Sequence, residues 1–478
     1  MRNNSIISGV FWTMGERCIA QIVSFIVSIV LARLLSPTDY GVVAILLIFI
    51  SIADVFVSNG FGAALIQKKD ADQLDFSTLL ICSVISSIVI YFIIYLSAPI
   101  IANFYSNENI VPLMRVMALR IPISGYNTIQ RAYISRNMMF KKFFFSTLGG
   151  TVVSAIIGIT MAYKGFGAWA LVAQNLGNTI VDTIVLSITI DWKPSFRFKL
   201  ERAINLMSYG WKVLCTSVIG TFFDQLQSLV IGKVFSSADL AYYNKGNQIP
   251  SLVSANVNNS VMTVLFPAFA NYSDDYDSIR NITRKAIRMM TYISFPLMIG
   301  LVMTAKPLII LLLTEKWEPS IDYMKILSIS VAFGLIGDTG LQTIKAIGRS
   351  DVLLKLEFVK KPVFLILLVL GLNYGTMGVA VTTAIYSFYA MLMNFGTMGK
   401  LINYRFSEQV KDVLSVAILS LIMGVAVYIC GLMTFYNYVL EIVIKACVGV
   451  AVYILISLIT RSQEFIYLVS FAKKKFIK

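Results

Sequence analysis

The sequence predicts an all-α polytopic membrane protein. About fourteen transmembrane helices form two six-helix lobes, related by a pseudo-two-fold axis along the membrane normal, plus two C-terminal helices. Three observations carry this prediction: apolar runs recur along the chain, basic residues gather in alternate loops, and one polar segment recurs 200 residues later.

The chain is 57% hydrophobic and 14% charged, whereas soluble domains carry about 25% charged residues. Its apolar runs reach about 20 residues, the length that crosses a bilayer. In order, spans are expected at 10–32, 40–60, 78–103, 110–131, 143–163, 168–190 and 211–234. Further spans follow at 246–269, 287–312, 321–345, 355–373, 377–399, 412–433 and 439–460. No polar stretch is long enough for a soluble domain. The run from Val10 to Leu31 lacks a small-residue cleavage site after it and reads as a first span, not a removed signal peptide.

With the N-terminus inside, the inside loops carry Lys68, Lys69, Arg131, Arg136, Lys141 and Lys142. They continue with Lys193, Arg197, Lys199 and Arg202, then Arg280, Arg284, Lys285 and Arg288. Lys345, Arg349, Lys355, Lys360 and Lys361 follow, then Lys400, Arg405, Lys411, Arg461 and the Lys473–Lys475 run. The alternate loops hold scattered bases such as Lys164, Lys245 and Lys316. This asymmetry places both termini in the cytoplasm. It also accounts for the net charge of +15 without a nucleic-acid partner.

The recurring segment is Arg33-Leu-Leu-Ser-Pro-Thr-Asp39, matched by Lys233-Val-Phe-Ser-Ser-Ala-Asp239. Met114-Arg115 similarly matches Met324-Lys325. Six spans per copy is an even number, so both copies share one orientation. The expected domains are 1–192 with six spans, an amphipathic basic linker on the membrane surface at 193–209, 210–402 with six spans, and 403–478 with two spans and a basic cytoplasmic tail.

Several spans carry a polar face. Thr13, Arg17, Gln21, Ser24 and Ser28 share one face of the first span, and Ser217, Thr221, Asp224 and Ser228 share one face of the seventh. Ser51, Asp54 and Ser58 mark the second span, and Ser251, Ser254 and Asn258 the eighth. For hydroxyls the competing reading is helix–helix adhesion. Charges weigh more, since each costs at least roughly 2.5–3.5 kcal/mol at a span's centre. Arg17, Arg115 and Arg120 are the cationic candidates, and Asp54, Asp182, Asp224 and Asp338 the anionic ones. Their competing reading is a structural ion pair.

Arginine in a cavity suits phosphate, hydroxyl and amide groups suit sugars, and buried carboxylates suit proton or sodium coupling. The candidate substrate-binding residues are therefore Arg17, Gln21, Ser24, Arg115, Arg120, Thr221 and Asn258, and the candidate ion-coupling residues are Asp54 and Asp224. The chain has no histidine, and Cys18, Cys82, Cys215, Cys430 and Cys447 form no CxxC pair. Neither a metal site, a disulfide nor another cofactor is expected. Trp12, Trp169, Trp192 and Trp211 lie near span ends, where interfacial anchoring is expected. The run from Asp274 to Asp277 reads as a solvated loop.

The segments Ser8-Gly-Val-Phe-Trp12, Leu31 to Gly41, Asn59 to Gln67 and Leu265-Phe-Pro-Ala-Phe269 resemble polysaccharide exporters of the Wzx type, closest to the branch that includes colanic acid and teichuronic acid exporters. These belong to the multidrug/oligosaccharidyl-lipid/polysaccharide flippase superfamily. The resemblance implies two six-helix lobes around a central cavity, plus two helices. It also implies flipping of undecaprenyl-pyrophosphate-linked oligosaccharide, an O-antigen or exopolysaccharide precursor, across the bacterial cytoplasmic membrane. Basic cavity residues would meet the pyrophosphate; Arg17 and Arg120 are assigned to that role by position. A polysaccharide polymerase and glycosyltransferases are the implied protein partners. The resemblance carries no catalytic motif, so no enzyme activity is expected. The alternatives are a multidrug antiporter of the same superfamily and a non-transporting scaffold for glycan assembly.

Overall fold

The computed structural model describes residues 19–476, apart from 59, 69, 196, 272–274 and 434. Arg17, Trp12 and Thr13 therefore lie outside the described residues. No strand occurs among the described residues. The helices are α1 (Ile19–Leu34), α2 (Pro37–Ser58), α3 (Phe61–Gln67), α4 (Gln73–Phe104), α5 (Ile110–Met117), α6 (Arg120–Arg136), α7 (Phe140–Tyr163), α8 (Ala168–Thr189) and α9 (Leu200–Val234). Then come α10 (Ser237–Asn271), α11 (Tyr276–Leu313), α12 (Ser320–Ala346), α13 (Ser350–Leu372), α14 (Gly375–Leu401), α15 (Phe406–Cys430), α16 (Tyr438–Ile459) and α17 (Gln463–Phe476).

Ten helical stretches among the described residues are long and apolar enough to cross a membrane. The remaining expected spans, the first, fourth, eighth and eleventh, fall on α1, on α5 with α6, on α10 and on α13. The fourth was expected as one helix over 110–131 and is instead broken between α5 and α6. Pro122 explains the break: it has no N–H to return to Ala118, so the chain tightens into i→i+3 bonds. Leu119 N–H reaches the Val116 carbonyl at 3.1 Å, and Ile121 N–H the Ala118 carbonyl at 2.9 Å.

Packing divides the chain into two units, one running to Ala241 and one from Tyr242. In the first, α7 lies along α8, while α4 and α8 pack on α6. The aromatic trio Phe76, Tyr133 and Trp192 closes one end, with Tyr133 and Trp192 stacked at 6.0 Å. Trp192, expected as an interfacial anchor, is only 7% exposed, because this trio encloses its ring. Trp211 stays exposed.

The two copies of the recurring segment build the same local structure. Ser36 caps α2: its N–H donates to Asp39 at 3.0 Å, and Asp39 N–H returns a bond to Ser36 Oγ at 3.2 Å. Ser236 and Asp239 repeat this at the start of α10, at 3.1 and 3.1 Å. This reciprocal cap satisfies the orphan N–H groups of each helix start. The two starts also touch, since a Cβ at Gly41 would overlap the Ser237 carbonyl.

Helix α9 packs along α2, α3 and α4 of the first unit. At one end Arg202 pairs with Asp72 and Asp75. At the other, Tyr105 Oη donates to the Leu229 carbonyl at 3.2 Å, and Lys233 donates to the Phe104 carbonyl. A Cβ at Gly210 would lie 2.6 Å from the Gly60 carbonyl oxygen, so glycine is what permits this approach. The linker expected over 193–209 is helical from Leu200 onward, and it runs unbroken into the seventh span. Its exposed apolar residues, Leu200, Ile204 and Trp211, share one face.

In the second unit α12 packs between α11 and α14, around Met290, Ile336, Phe395 and Met398. Lipid is as apolar as these side chains, so close packing rather than transfer from water holds such helices together. The bases expected in a loop at 280–288 lie on α11 and tie down the C-terminal helices. Arg284 holds Asp412 of α15 at 2.6 and 3.0 Å, Arg280 holds Glu408 at 2.8 Å, and Arg288 reaches Glu464 of α17. Tyr404 Oη adds a bond to Asp412 at 2.6 Å. Asp275, expected in a solvated loop, caps α11 by accepting from the N–H groups of Asp277 and Ser278.

Candidate functional site

Two hydroxyls of the polar face read on the second span bond within their own helix. Ser51 Oγ donates to the Ile48 carbonyl at 2.8 Å and Ser58 Oγ to the Asp54 carbonyl at 2.7 Å. A hydroxyl that bonds its own preceding turn has no need of a partner helix or ligand. The charged and amide groups cannot close such short loops, and they set the site.

These groups converge on α6 in the first unit. Arg120, Ser124, Thr128, Arg131 and Ser135 are spaced four, four, three and four residues apart, so they line one face. That spacing was visible in the sequence, but Arg131 reads there as an orientation charge. Arg120 meets Asp54 of α2 at 3.3 Å, with both side chains about a quarter exposed (28% and 23%). Ser124 adjoins the same carboxylate. Arg131 meets Asp182 of α8 at 2.7 Å. Asn127 Nδ2 donates to the same Asp182 oxygen at 2.7 Å, and Gln130 Nε2 donates to Ser187 Oγ at 2.8 Å.

The two ion pairs differ in quality. Asp182 is 2% exposed and receives two short bonds on one oxygen. Asp54 and Arg120 are held at a looser distance. One carboxylate oxygen of each pair, Asp54 Oδ1 and Asp182 Oδ1, is buried with no hydrogen-bond partner among the described residues, but of the two arginines it is Arg120 whose Nε is left so as well. A guanidinium offers five donors in a planar fork. Arg120 therefore has donors to spare, in a setting where an unmet polar atom costs about 1–3 kcal/mol.

The other expected site residues are dispersed. Gln21 and Thr221 are half-buried, and Ser24 and Asp224 are exposed. Arg115 lies over the Tyr95 ring at 4.4 Å, a cation–π contact, not an ion pair. Asn258 belongs to the second unit, where its Oδ1 is buried without a partner among the described residues. That unit also buries Lys360, which the sequence places among loop bases. It lies inside α13, held by Glu357 at 2.7 Å and by Asn394 Oδ1 at 3.3 Å, and these partners let a charge persist there.

Residues 30–322 match the family described as polysaccharide biosynthesis protein. The chain belongs to this family. Among its relatives, the teichuronic acid biosynthesis protein TuaB of Bacillus subtilis (strain 168) is 24% identical over 366 residues, covering 72% of either chain. The lipopolysaccharide biosynthesis protein WzxC of Escherichia coli (strain K12) is 23% identical over 401 residues, covering 81% of this chain and 80% of its own. Among solved structures, the lipid II flippase MurJ in an inward closed conformation aligns with a TM-score of 0.75 at 17% identity, covering 98% of this chain and all of the other (100%). An inward-facing multidrug resistance MATE transporter aligns at 0.61 and 15% identity, over 80% of this chain and 94% of the other. These likenesses establish the fold of this family member as that of a multi-pass membrane transporter.

Proposed function

We propose that this protein flips an undecaprenyl-pyrophosphate-linked oligosaccharide, a precursor of cell-surface polysaccharide, across the bacterial cytoplasmic membrane by alternating access. The observation that carries this reading is Arg120: a half-buried guanidinium at the start of α6, loosely paired, with a buried donor to spare. Such a group suits the pyrophosphate of a lipid-linked sugar, which accepts bidentate bonds. Family membership and the MurJ-like fold support the same substrate class. The multidrug alternative rests on fold likeness alone.

In this reading the anion displaces Asp54 from Arg120, which makes Asp54 the first candidate for proton coupling and Asp224 a second. Rocking between two states then exposes the site to each membrane face in turn. Both termini lie in the cytoplasm, with a polymerase and glycosyltransferases as working partners. The test is reconstitution of the purified protein in vesicles. Movement of lipid-linked oligosaccharide between leaflets is expected, and failure to move it, with efflux of organic cations instead, would sink the reading. Arg120→Ala should abolish flipping at normal protein levels, and Arg120→Lys should restore it only in part. Intact transport by Arg120→Ala would remove Arg120 from the phosphate role.

A further inference from the structure

A second basic site lies in the first unit, away from Arg120. The apolar stretches Pro37–Gln67 and Gln73–Phe104 both end there, so the turn between them sits where the chain leaves the hydrocarbon. A cavity of about 350 Å³ opens beside this turn, lined by Ala64, Gln67, Lys68, Arg202, Asn205 and Leu206.

Its polar lining is rich in donors. Lys68 Nζ gives one bond to Asp75, at 2.6 Å, and Arg202 uses Nη1 on Asp72 and Asp75. Lysine has three donors and arginine five, so both keep N–H groups for another acceptor. The amides of Gln67 and Asn205 add more. Asp75 is fully buried beneath these cations. Arg136 donates to the carbonyls of Leu65 and Lys68 from behind, which leaves three cations against two carboxylates. Ile66 and Ile204, the neighbours in sequence of the lining residues Gln67 and Asn205, are both more than half exposed and add apolar surface.

We propose that this cavity binds the phosphate of an anionic lipid headgroup. Surplus positive charge and convergent N–H donors suit phosphate oxygens. The depth of the turn and the apolar flanks select a lipid over a free anion. The site is separate from the Arg120 face, and the proposal stands or falls without the transport reading.

The test is native mass spectrometry of the purified full chain with phosphatidylglycerol, phosphatidylcholine or inorganic phosphate. One phosphatidylglycerol should be retained about tenfold more tightly than phosphatidylcholine, whose phosphate is the same but whose choline cation is repelled by the surplus positive charge. Asn205→Leu and Gln67→Leu each replace an amide donor of the cavity by an apolar side chain but keep the Lys68–Asp75 and Arg202–Asp72 pairs, so each should erase that preference with the thermal midpoint unchanged. Arg202→Gln should erase it too. Equal retention of both lipids by the wild type, or a preference that survives both leucine variants, overturns the proposal. Displacement of the lipid by millimolar inorganic phosphate overturns the choice of a lipid in favour of a free anion.

Discussion

Two ion pairs, one in each unit, bury opposite members, although the Arg284–Asp412 and Arg288–Glu464 pairs of the second unit bury the carboxylate as the first unit does. In the first, the carboxylate of Asp182 is enclosed and the Arg131 side chain that neutralises it is half exposed, 2% against 50%. In the second, Lys360 is enclosed and its partner Glu357 is nearly half exposed, 5% against 45%. Yet the capped turns that open α2 and α10 match bond for bond. The two matching segments thus build the same local turn, while the interior charges differ from unit to unit. A cap is made by residues three apart, whereas a buried charge answers to whichever helix packs against it.

Breaking these pairs tests the comparison. The largest effect should come from Arg131→Met. It strands a buried carboxylate, and such losses cost about 3–5 kcal/mol. The thermal midpoint of the purified protein should fall sharply, and adding Asp182→Leu should recover most of the loss. A small effect from the single variant would mean that Asp182 is solvated or held adequately by Asn127 alone.

Lys360→Met should behave differently. It removes the buried member and leaves Glu357 free to meet solvent, and it strands only the neutral Asn394 Oδ1, so the loss should stay within about 1–3 kcal/mol, below that of Arg131→Met. A destabilisation as large as that of Arg131→Met would erase the contrast between the two pairs.

The smallest effect concerns pH at the surface pair of Asp72 and Arg202. The hydrogen bond from Arg202, reinforced by the Asp75 N–H, holds the Asp72 carboxyl down at about 2. A depressed carboxyl contributes stability above its unfolded value near 3.9, and that contribution fades as pH falls toward about 2. The exposed position screens it. The gap in thermal midpoint between wild type and Arg202→Gln should be small at pH 6 and should close on acidification. A gap that widens toward pH 3 would reverse the assigned sign.

The candidate site was legible in part. Arg120 and Asp54 stood out because charge is costly inside an apolar segment, and the structure brings them together. The serine faces were equally periodic, yet hydroxyls such as Ser51 and Ser58 turn back onto their own helices. Periodicity reports which face a side chain occupies, not where its proton goes. Arg131 and Lys360 were read as loop bases because charge counts along the chain cannot tell an end residue from one neutralised by a distant helix.

What the sequence by itself determined is local: the apolar lengths that can span a bilayer, and the short segment shared by Arg33 to Asp39 and Lys233 to Asp239, which the structure turns into two matching caps. Each depends on residues within a turn or two of one another, whose geometry the backbone imposes. The tertiary structure alone decided the rest. Arg131 meets Asp182 across 51 residues, Arg284 meets Asp412 across 128, and α9 packs with the first unit although the repeat makes it the opening helix of the second copy. In a medium as apolar as the side chains, many helix arrangements bury similar area, so close packing and the pairing of the few charges select one.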